Sequence, residues 1–84
     1  MTDELTVMAQ EELNSACSLT WPELKRITPW GDSFEGFAPS GRTVEVERRY
    51  LWALDPDGAI IVEVEVRDAA AREGVEARAI LHAP

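Results

Sequence analysis

Apolar and polar residues alternate with a period of two through residues 43–67, interrupted once by Asp55-Pro56-Asp57-Gly58. Two β-branched alternating runs around a Pro-Asp-Gly turn predict a β-hairpin. A three-residue loop with Gly58 at positive φ pairs Asp55 with Ala59. The ladder then sets Leu54 opposite Ile60, Trp52 opposite Val62, Tyr50 opposite Val64 and Arg48 opposite Val66. On the other face it sets Arg49 against Glu65 and Glu47 against Arg67. Slipping by one residue would send the two apolar sets to opposite faces, so the alternation excludes it.

The same logic extends to both sides. Residues 33–38 read as a short strand, and Pro39-Ser40-Gly41 repeats the Pro-x-Gly turn, pairing Ala38 with Arg42, Gly36 with Val44 and Phe34 with Val46. Both turns assign Val44, Val46, Tyr50 and Trp52 to one inner face, shared with Phe34. Residues 75–82 alternate again. Pairing Asp68 with Val75 sets Arg67 against Glu76 and Glu65 against Arg78, whereas a shift of two sets Glu65 against Glu76. Opposed like charges are unfavourable, so the first register is expected.

Ahead of the strands, Leu5, Met8, Ala9, Leu13, Ala16 and Cys17 recur at helical spacing, predicting an amphipathic helix over residues 3–18 capped by Thr2. Thr20-Trp21-Pro22-Glu23 is a capping box opening a short helix over residues 21–27, ended by Pro29. Residues 29–32 read as irregular. The expected fold is α+β in two layers: both helices on one face of a four-stranded antiparallel meander, order 1-2-3-4. Strands are expected over residues 33–38, 42–54, 59–67 and 75–82, and residues 1–84 form a single domain. Small residues at Ala77 and Ala79 leave room for a helix to approach closely.

These registers also draw the outer face. One row is Glu47, Arg67, Glu76 and the next Arg49, Glu65, Arg78, a checkerboard of opposite charges. Beyond it lie Leu51, Glu63, Ile80 and then Ala53, Ile61, His82. Leu51, Ala53, Ile61 and Ile80 thus make a small apolar patch, the kind of feature that marks a contact surface, here expected to support a homodimer.

Charge then narrows the function. Sixteen acids against eight bases give a formal net charge of −8. That excludes direct binding to nucleic acid or to an anionic membrane, and it permits a basic protein partner. The chain has no long apolar run and no signal-peptide pattern, so a cytoplasmic protein is expected. One cysteine excludes an internal disulfide and any multi-cysteine metal site. No metal and no cofactor is expected: the Asp-Pro-Asp-Gly turn lacks the further oxygen ligands of a calcium loop. Cys17 on the helix stripe and His82 near the end fall on opposite sides of the sheet, which gives a nucleophile no base. The sequence therefore reads as non-enzymatic.

What remains is a protein that acts by binding another protein. Asp3, Glu4, Glu11 and Glu12 concentrate acid on the first helix, with more at Asp32, Glu35, Asp55, Asp57 and Asp68. In size and acidity the chain is similar to anti-CRISPR and other DNA-mimic inhibitors, a likeness of composition alone. It implies an inhibitor whose acids engage a basic, nucleic-acid-binding protein. The alternative is an accessory subunit that homodimerises through the apolar patch, and the third is a small-ligand binder with Trp21, Trp30 and Asp32 around a pocket. One Lys beside seven Arg suggests a GC-rich bacterial or phage origin.

Overall fold

The computed structural model describes residues 3–71 and 73–84. Helix α1 (Glu4–Ala16) and helix α2 (Trp21–Ile27) precede strands β1 (Trp30–Phe37), β2 (Thr43–Trp52), β3 (Ile60–Asp68) and β4 (Gly74–Leu81). The strands form one antiparallel sheet in the order β1-β2-β3-β4, and α1 packs over β3 and β4. This is the expected two-layer α+β architecture.

α1 buries the predicted stripe: Leu5, Ala9, Leu13 and Ala16 are buried, and Met8 and Cys17 pack at its margin. Asp3 is its N-cap residue but makes no side-chain cap, and Thr2, expected to cap, lies outside the described residues. α2 has the full capping box. The Thr20 hydroxyl accepts from the Glu23 amide at 3.4 Å, while the Glu23 carboxylate accepts from the Thr20 amide at 3.0 Å. Leu24 carries α2 into the core. The core itself joins the α1 stripe to Val44, Val46, Tyr50, Ile60, Val62, Val64 and Val66 on the inner face.

The β1–β2 hairpin has the expected register, with Phe34 opposite Val46 and Gly36 opposite Val44. Gly41 takes φ +94°, a left-handed turn conformation that glycine adopts without a Cβ penalty. β1, however, starts at Trp30 rather than residue 33. Trp30 stacks on Tyr50 with ring centroids 5.4 Å apart, and both Arg48 guanidinium arms engage the Asp32 carboxylate. Those cross-strand contacts extend a segment that its own residues mark as irregular.

The other two registers differ from expectation by two residues. Tyr50 pairs with Val62 and Trp52 with Ile60, not Val64 and Val62. Val66 pairs with Val75 and Glu65 with Glu76, so the like-charge alternative is the one adopted. Because β2 and β4 keep their expected mutual alignment, β3 alone has slid. Its two turns account for this. The Ala53 amide donates to the Ala59 carbonyl, so residues 54–58 form a five-residue loop in which Asp57, not Gly58, takes positive φ (70°). The Trp21 indole donates to the Gly58 carbonyl at 2.9 Å, tying that loop to α2. At the other end, Asp68 is buried, and its carboxylate accepts from the amides of Ala70 and Ala71. The Asp68 amide donates to the Glu73 carbonyl, so the chain turns two residues earlier than the charge pairing suggests.

Candidate functional site

Sliding β3 redraws the outer face. The expected checkerboard is replaced by an all-acid row, Glu47–Glu65–Glu76, beside a mixed row, Arg49–Glu63–Arg78. The acid row holds because arginines of the adjacent rows reach it diagonally. Arg49 bonds Glu47 and Glu63 and lies 3.8 Å from Glu76, while Arg67 bonds Glu45 and Glu65. Each exposed pair contributes only roughly 0.2–1 kcal/mol, so neither charge pattern could outweigh the turns and the core.

The slide also joins the apolar residues. Leu51, Ile61 and Ile80 were expected in two different rows. They occupy one, lying side by side across β2, β3 and β4. Ile80 is 51% and Leu51 39% exposed. Ala53, expected in the patch, is half-buried at the start of the loop. Leu54, which the expected register buried opposite Ile60, is instead 91% exposed in that loop at the same end of the sheet. The result is an apolar row, Leu51–Ile61–Ile80, with Arg49–Glu63–Arg78 along its border and Leu54 exposed in the loop beyond it.

The four helix acids do not form one free face. Glu4 accepts from the Ser40 amide and hydroxyl and pairs with Arg42 at 2.7 Å; Asp3 lies 3.7 Å from the same arginine. Glu12 is half-buried and Glu11 exposed. Only Glu11 and Glu12 remain clear of the Arg42 cluster, which Asp68 completes at 3.1 Å.

Of the proposed pocket residues, Trp30 and Asp32 come together and Trp21 is engaged elsewhere, at Gly58. Trp30, Asp32 and Phe34 share the inner side of β1, where Arg48 lies across both rings, 5.8 Å from Trp30 and 5.2 Å from Phe34. This aromatic and arginine strip lies beside the main packing of α1 on β3 and β4, with Trp30 and Phe34 exposed. It was missed because residues 29–32 were read as irregular. The available signal was Arg48 itself, a charge at an inner-face position that requires a partner on a neighbouring strand. Burial raises the Cys17 thiol above its ordinary pKa, which disfavours the nucleophilic thiolate. Among the described residues no cluster of His, Cys, Asp or Glu has the spacing to hold a metal, and no helix is long and apolar enough to cross a membrane.

Four carboxylates sit below their ordinary range. Asp68 is held there by the Ala71 and Ala70 amides, Glu4 by Ser40 and then Arg42, Asp32 by Arg48, and Glu23 by the Thr20 amide. A depressed native pKa contributes stability above the unfolded value of about 4, and that stability is lost as pH falls toward the native values. Relief of self-repulsion near the isoelectric point of 4.5 acts the other way. The urea midpoint is therefore expected to hold from neutral pH to about 5 and to fall below about 4. Asp32→Asn should make the fall shallower; a midpoint unchanged down to pH 3 would contradict this.

No family model, no curated protein and no solved structure matches this chain.

Proposed function

We propose that this protein acts without catalysis, by binding another protein through the stripe formed by Leu51, Ile61 and Ile80 and extended by Leu54. The observation that carries this reading is the contiguity of the row: three large apolar side chains, adjacent on three strands, face outward beside the charged rows Arg49–Glu63–Arg78 and Glu47–Glu65–Glu76. Exposed apolar clusters rimmed by polar residues are features of contact surfaces. The partner that fits presents its own apolar strip, with an acid to meet Arg78, the most exposed charge of the bordering row. The inhibitor reading, in which helix acids imitate phosphates, has weaker support because Glu4 and Asp3 already face Arg42.

Salt and substitution separate the two. Immobilised wild-type protein is expected to retain a partner from a bacterial lysate at both low and high salt, and Ile61→Lys to weaken that retention about tenfold or more. Glu11→Lys should leave it unchanged. Elution as salt rises, together with loss on Glu11→Lys, would overturn the apolar reading in favour of the acidic one.

A further inference from the structure

The outer edge of β1 is a second contact surface, independent of the apolar stripe. β1 runs eight residues with no proline, lysine or bulge; its two charges are Asp32, which Arg48 already neutralises, and Glu35. The main helix packing falls on β3 and β4, and most β1 side chains are exposed. Hydrogen bonding alternates along an antiparallel pair. The Ala38 amide donates to the Arg42 carbonyl, so the even-numbered residues of β1 bond to β2. The odd-numbered ones, Gly31, Ser33, Glu35 and Phe37, direct their main-chain groups outward.

We propose that β1 pairs antiparallel with β1 of a second copy of this chain, making one continuous eight-stranded sheet about a two-fold axis at Phe34. The register is selected by what faces what. With Phe34 opposite its own mate, all four outward-facing residues are paired: Gly31 with Phe37 and Ser33 with Glu35, each twice by symmetry. On the inner face Trp30 meets the small Ala38 and Asp32 meets Gly36. On the outer face a depression of 260 Å³ lies beside Gly31 and Ser33, bounded by Glu47 and Arg49. Phe37 is 74% exposed, and in this register it lies over the other copy's Gly31, beside that depression. An aromatic side chain across from an edge glycine is a known stabilising pair. Moving the axis to residue 35 opposes two Glu35 carboxylates, and moving it to residue 32 opposes two Asp32 carboxylates. An axis at Ser33 sets Phe34 against Asp32 and leaves Phe37 facing Pro29, which has no amide hydrogen. No like charges oppose in the Phe34 register: Trp30 and Phe37 fall opposite the small Ala38 and Gly31, and the two Phe34 rings face each other as an aromatic cross-strand pair.

The net charge of −8 per copy sets the condition for the test, because it must be screened before two copies approach. Sedimentation velocity at physiological ionic strength is expected to show wild type associating to twice its 9.3 kDa mass as concentration rises. Ser33→Pro removes only an outward-facing amide and is expected to give a folded monomer, with folding checked by circular dichroism. Ile61→Lys is expected to keep the dimer, which separates this interface from the partner-binding stripe. Should Ser33→Pro fail to fold, Phe34→Cys tests the same register. Non-hydrogen-bonded antiparallel partners have Cα atoms about 4.5 Å apart, within disulfide reach. Mild oxidation should therefore cross-link Phe34→Cys covalently, while Glu35→Cys and wild type, which retains Cys17, stay uncrosslinked. A wild type that remains monomeric at millimolar concentration would overturn the proposal. So would a dimer that survives folded Ser33→Pro, or cross-linking at Glu35→Cys in place of Phe34→Cys.

Discussion

Ile60→Ala is expected to lower the unfolding free energy by about 2–5 kcal/mol, while Leu54→Ala changes it by less than about 0.5 kcal/mol. The two side chains belong to the same hairpin: alternation puts them on one buried face, and a three-residue loop at residues 56–58 would make them cross-strand partners. In the fold they part company: Ile60 is fully buried opposite Trp52, and Leu54 stands out in the loop. Removing most of a branched side chain from a closed core loses its transfer free energy and leaves a cavity that neighbours only partly fill. A chain of this size has a total stability on the order of 5–10 kcal/mol, so the loss is a large fraction of it. The expected fall in melting temperature is about 10 °C or more, against little change for Leu54→Ala. Equal effects would mean that β2 and β3 pair in the register with Leu54 opposite Ile60, and the apolar row would then break up.

That pair of residues shows where sequence reasoning stopped. Side-chain alternation has a period of two, so it excludes a one-residue slip of β3 and is blind to a two-residue slip. Every residue of β3 keeps its face in either register. Between β2 and β3 the choice then rested on an expected three-residue loop with Gly58 at positive φ, and between β3 and β4 on surface charge, which favoured Arg67 against Glu76 and Glu65 against Arg78. In the structure arginine side chains reach diagonally, so opposed glutamates are bridged by Arg49 and Arg67. What set the register was turn chemistry at two aspartates. Asp57 takes the left-handed conformation expected of Gly58, and Asp68 closes its own turn by accepting two amides. Where turn chemistry was read correctly, at Gly41 and at the Thr20–Glu23 box, the local structure followed.

The contact surfaces were legible to the same degree. Face assignment placed Leu51, Ile61 and Ile80 outside, but their adjacency depends on the register of β3 and so stayed hidden. The β1 edge was hidden for a different reason. Trp30, Gly31 and Asp32 have turn-forming composition, and only Tyr50 and Arg48, nearly twenty residues later in the chain, hold them extended. A short-range reading of residues 29–32 could not include those partners.

Ala9→Leu is the second large effect, expected to destabilise the fold by about 1–3 kcal/mol through overpacking. The alanines of β4 were read as room for a helix, and α1 does lie there, with Ala9 fully buried and Ala77 and Ala79 packed against the core. Leucine and alanine differ little in helix propensity, so a large loss would report on the space between helix and sheet. Gln10→Leu, on the exposed side of the same helix, should stay within about 0.5 kcal/mol of wild type in chemical denaturation. Leu13 lies one turn further along the same buried stripe, so Ala9→Leu combined with Leu13→Ala should recover part of the loss by restoring total volume. Were Ala9→Leu as mild as Gln10→Leu, the helix would have free space beneath it. Leu5 and Leu13 would then anchor it, and the small residues of β4 would need another explanation.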